Sequence, residues 1–151
     1  MKDPSVKIMS ALCRQAEEGC ARRLESLLQR ADPGDPALRR YLAEVLEEQK
    51  DCLLGVVRFD MEAAPPIAWA PERKKTEELI HRFFPSVLQK LGEGPLLRDA
   101  ALYFVECLED ENARFLLELA TRAPDEPSRT FFAELGRGWE SRQRKCREVL
   151  L

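Results

Sequence analysis

The sequence predicts an all-α protein made of two helical hairpins around a shared core, and three observations carry that prediction. The ten prolines fall in clusters that leave four proline-free stretches, 5–32, 37–64, 96–123 and 128–151. A proline inside a helix removes a hydrogen bond and clashes with the preceding turn, so its confinement to the gaps marks helix boundaries. The stretches are also rich in Leu, Ala, Glu, Arg and Lys, which favour helices, and sustained β-alternation is found nowhere along the chain.

Taken in order, the first stretch repeats apolar residues at Met9, Leu12/Cys13, Ala16, Cys20, Leu24 and Leu27, one face of a helix. The turn Asp32–Pro36 is short, which makes the next helix an antiparallel neighbour. That second helix carries its stripe at Leu38, Leu42, Val45, Leu53 and Val56. The connection over about 61–96 is long and holds its own amphipathic piece, Glu72 to Leu91, interrupted at Pro85. The third helix shows Leu102, Val105, Leu108, Phe115, Leu116 and Leu119; after a turn at Pro124–Pro127 the fourth shows Phe132, Leu135, Trp139 and Val149. Hairpin one therefore covers about 5–60, the crossover about 61–96 and hairpin two about 97–151.

At 151 residues the chain is the size of one domain able to bury a proper core. Its 44% hydrophobic and 34% charged content excludes disordered and fibrous classes. A net charge of −3 supplies no basic field for nucleic acid. No run approaches the ~18 apolar residues of a membrane span, and the N-terminus reads as neither export signal nor anchor. Five cysteines at 13, 20, 52, 107 and 146 contain no Cys-x-x-Cys pair, so zinc knuckles and thioredoxin chemistry are not expected, and a reducing cytoplasm is the simplest home. The lone His81 leaves little room for a histidine-based triad or metal site.

The hairpins also resemble each other. Leu27–Pro36 matches Leu119–Pro127 at an offset of 92, and after a shortened turn Tyr41-Leu42-Ala43-Glu44-Val45 matches Phe131-Phe132-Ala133-Glu134-Leu135 at 90. Either one hairpin is used twice, or Leu/Ala/Glu/Arg-rich helices resemble one another by composition. Two hairpins joined by a long crossover are the layout of ferritin-like bundles. Within that class Ala101–Arg142 resembles rubrerythrin, through Glu109 seven residues before Leu116 in Phe115-Leu116-Leu117-Glu118-Leu119-Ala120, the acidic proline turn, and Phe131-Phe132-Ala133-Glu134-Leu135. Phe83-Phe84-Pro85-Ser86 is similar to the crossover of some rubrerythrin-like proteins.

The resemblance implies a di-iron site built from one inward Glu on each of two helices and a Glu-x-x-His on each of the others. The lone glutamates fall on Glu17 and Glu109. At about 100° per residue Glu109 lies within roughly 40° of Leu102, Val105 and Leu116, so it points at or near the core unless it snorkels to solvent; Glu18 points away. The Glu-x-x-His positions fall on Gln49-x-x-Cys52 and Trp139-x-x-Arg142, where the match fails. Gln is a weak ligand, Trp coordinates nothing, and Arg repels a metal cation. With inward positions running 42, 45, 49, 52, 56 and 132, 135, 139, 142, 146, the vacated middle comprises Glu17, Gln49, Cys52, Glu109, Trp139 and Arg142.

Stranded buried carboxylates need neutralising. The expectation is a polar plug in which Arg142 pairs with Glu109, Glu17 or both, Trp139 fills the volume and Gln49 hydrogen-bonds the remaining oxygens. No catalytic residue and no cofactor is expected. The function implied is a non-catalytic interaction or scaffold module, with a homodimer or protein partner through Ile67, Trp69 and Phe84 and without nucleic acid or membrane. One alternative is a residual metal-binding or peroxide- and iron-handling oxidoreductase holding iron or another divalent metal on Glu17, Glu109 and Cys52. That alternative competes with Cys52, like Cys13 and Cys20, as a small core residue, and the chain lacks the electron-relaying Cys-x-x-Cys domain of full-length rubrerythrins. A second alternative is an unrelated helical adaptor or regulator.

Overall fold

Proline and aspartate set where the helices begin. In the structure, a computed structural model describing residues 4–62 and 94–150, α1 runs Pro4–Arg30, α2 Pro36–Glu62, α3 Arg98–Arg122 and α4 Glu126–Arg147, with a 3-10 turn at Glu148–Leu150 packed against α2. All are helical, as the composition and proline spacing require, and none of the described helices is long and apolar enough to cross a membrane. The expected amphipathic piece Glu72–Leu91, His81 and the surface candidates Ile67, Trp69 and Phe84 lie outside the described residues.

Asp35 caps α2 by accepting from the Leu38 amide at 3.1 Å, and Asp125 caps α4 by accepting from the Ser128 amide at 2.8 Å. Pro127, expected in the turn, instead stands inside the first turn of α4, where its missing N–H leaves nothing unsatisfied. Asp125→Ala should cost about 1 kcal/mol, a fall of a few degrees in Tm, whereas Asp125→Asn should keep most of it. Equal melting of the two variants in a calorimeter would show that the cap contributes nothing.

Helix α1 packs along α2 and α3 along α4, with further contacts between α1 and α3 and between α2 and α4. Near the start of α1, Lys7 and Ser10 reach Asp60 near the end of α2, at 3.0 and 2.7 Å, with Arg14 at 3.4 Å. At the other end, the Asp32 amide donates to the Leu96 carbonyl and the Leu96 amide to the Arg30 carbonyl, at 3.0 and 2.7 Å. The Arg98 guanidinium grips Asp35 there through both carboxylate oxygens, at 2.8 and 2.6 Å. The points joined by residues 63–93 are therefore separated by the length of α2, 27 residues or about 40 Å. Phe59 of α2 stacks on Phe131 of α4 at 4.1 Å and meets Phe132 edge-on, while Tyr41 near the beginning of α2 donates to Gln143 near the end of α4 at 2.7 Å.

The core follows the stripes read from periodicity, except that Met9, Leu53, Leu102 and Val149 are only half-buried and one stripe is rotated. On α4 the buried face is Ser128, Phe132, Gly136, Trp139, Gln143 and Cys146, so Gly136 and Gln143 replace the expected Leu135 and Arg142. The cause is Gly136. A Cβ there would stand 3.3 Å from Leu116 Cβ and 3.4 Å from the Ala113 carbonyl, so its absence lets α4 close on α3 along that edge.

Candidate functional site

Each helix contributes one polar side chain to the middle of the bundle. Glu17, from α1, is fully buried at 0% exposure. Its Oε2 accepts from the Nε2 of Gln49 on α2, which also donates to the Glu17 carbonyl at 3.3 Å. Its Oε1 accepts from Asn112 Nδ2 of α3 at 3.0 Å. Trp139 of α4, 4% exposed, is set level with Asn112 by the packing of Gly136 on Ala113 and Leu116. Burial raises the Glu17 pKa; the hydrogen bonds from Asn112 and Gln49 and the charge of Arg142 pull it back in part. The amide oxygens Gln49 Oε1 and Asn112 Oδ1, together with Trp139 Nε1, are buried with no hydrogen-bond partner among the described residues.

Glu109 sits one turn before Asn112, half-buried, with Oε1 buried and unpartnered. Burial raises its pKa to about 8 against the pull of the Arg147 and Arg142 charges. The placement of Glu17 and Gln49 in the interior agrees with the sequence expectation; the pairing of Arg142 does not. The Arg142 side chain folds back along its own helix into space left by Gly138, its guanidinium lying 5.3 Å from the centroid of Trp139 with Nη2 donating to the Leu135 carbonyl at 3.4 Å. Among the described residues it forms an ion pair with neither Glu17 nor Glu109. Because α4 is turned at Gly136, position 142 lies on the flank and Gln143 takes the interior place. Neutral amides, not a guanidinium, satisfy the buried carboxyl, and Asn112 does the work expected of Arg142.

Cys52 is likewise on a flank, half-buried, and burial pushes its thiol up to about 11, which leaves little thiolate to ligate or attack at neutral pH. No group of three or more His, Cys, Asp or Glu among the described residues is placed to hold a metal ion, so Glu17, Glu109 and Cys52 do not form a ligand set. The donor set does not fit a di-iron centre either: both Glu17 oxygens are taken by amide donors, and the facing positions hold amide and indole. Asn112 was missed because it stands as a polar gap in an apolar stripe; Gln143 and Gly136 were missed with the rotation of α4.

On the outer side of α3 and α4 lies a groove of about 770 Å³ whose lining includes Glu109 and Trp139. The chain matches no family model, no curated protein and no solved structure.

Proposed function

We propose that this chain is a ferritin-like, rubrerythrin-related bundle of two antiparallel hairpins whose metal-binding middle has become a hydrogen-bonded amide–carboxyl plug, and that it acts as a non-catalytic interaction or scaffold module. The observation that carries this reading is the bonding of Glu17: an inward carboxylate at a family ligand position has both oxygens engaged by Gln49 and Asn112. The run of the helices supports it. Contacts pair the ends of α1 and α2 in opposite directions and α3 begins beside the α1–α2 turn, an order compatible with a ferritin-like bundle. Among the described residues the middle pairs its one fully buried carboxyl with neutral amides, which suits a structural role there.

The test is elemental analysis of the wild type after iron- or manganese-supplemented expression. Wild type is expected to keep far less than one ion per chain after desalting, and stoichiometric metal would overturn the reading.

A further inference from the structure

We draw no further inference here: the strongest candidate, the groove between α3 and α4, carries nothing, because its edges mix charges of both signs, the unpartnered Glu109 Oε1 and Trp139 Nε1 are buried beneath its surface, and nothing in the structure shows what covers it.

Discussion

Leucine introduced singly at Glu17, Gln49 or Asn112 should destabilise the protein by about 2–5 kcal/mol, whereas the three leucines together should leave it as stable as wild type or up to a few kcal/mol more so. Each single change breaks a satisfied contact in a buried place. Without Gln49 or Asn112 an oxygen of Glu17 loses its donor; without Glu17 the Asn112 amide loses its acceptor and the Gln49 amide keeps only the backbone carbonyl of residue 17. The triple variant removes every member at once, and with them the penalties of Gln49 Oε1 and Asn112 Oδ1, which already lack partners among the described residues. Urea midpoints of the four variants would decide the matter. Additive losses, with the triple variant the least stable, would show that the three side chains do not act as a unit.

Raising the pH from about 5 to 8 should weaken the fold, and Glu109→Gln should abolish most of that dependence. In the fold Glu109 titrates at about 8, well above its ordinary value of 4.5. Below the unfolded value both states hold the proton and the contribution is whole. Between the two values the unfolded chain has lost the proton while the folded chain still holds it, so stability declines as pH rises, and it levels off above the folded value. Glu17, also raised by burial, adds a slope of the same sign. The glutamine variant should match wild type near pH 5 and exceed it near pH 8 by on the order of 2–3 kcal/mol, allowing for the partly exposed carboxylate. Parallel melting curves for the two proteins across this range would show that Glu109 is not held in its protonated form.

The helices were legible because their ends are written in residues with one structural use. Asp35 and Asp125 are caps, and proline marks each boundary even where Pro127 proves to be part of the first turn. Glu17 and Gln49 were legible through the offset between the hairpins and the inward stripe of α2. The orientation of α4 was not, because periodicity alone places residues to within about one position, and only the close approach at Gly136 fixes the rotation. That single step moved Arg142 to the flank and brought Gln143 inside. Asn112 carried a signal that went unused: an amide in the run Val105, Leu108, Phe115, Leu116 and Leu119 needs a buried partner, and Glu17 is that partner. The Asp60 network carried another, since Lys7, Ser10 and Arg14 share one edge of α1 at spacings of three and four.

Asp35 holds two joints with one carboxylate, closing the first turn of α2 and clasping Arg98 at the root of α3. The clasp depresses its pKa, so its contribution is whole in neutral solution and vanishes as acid drives protons onto the folded form. At the opposite tip Asp60, although burial opposes it, is kept acidic by Ser10, Lys7 and Arg14. Acid is thus expected to weaken the fold through carboxylates at its two ends, and alkali through the carboxyls at its middle.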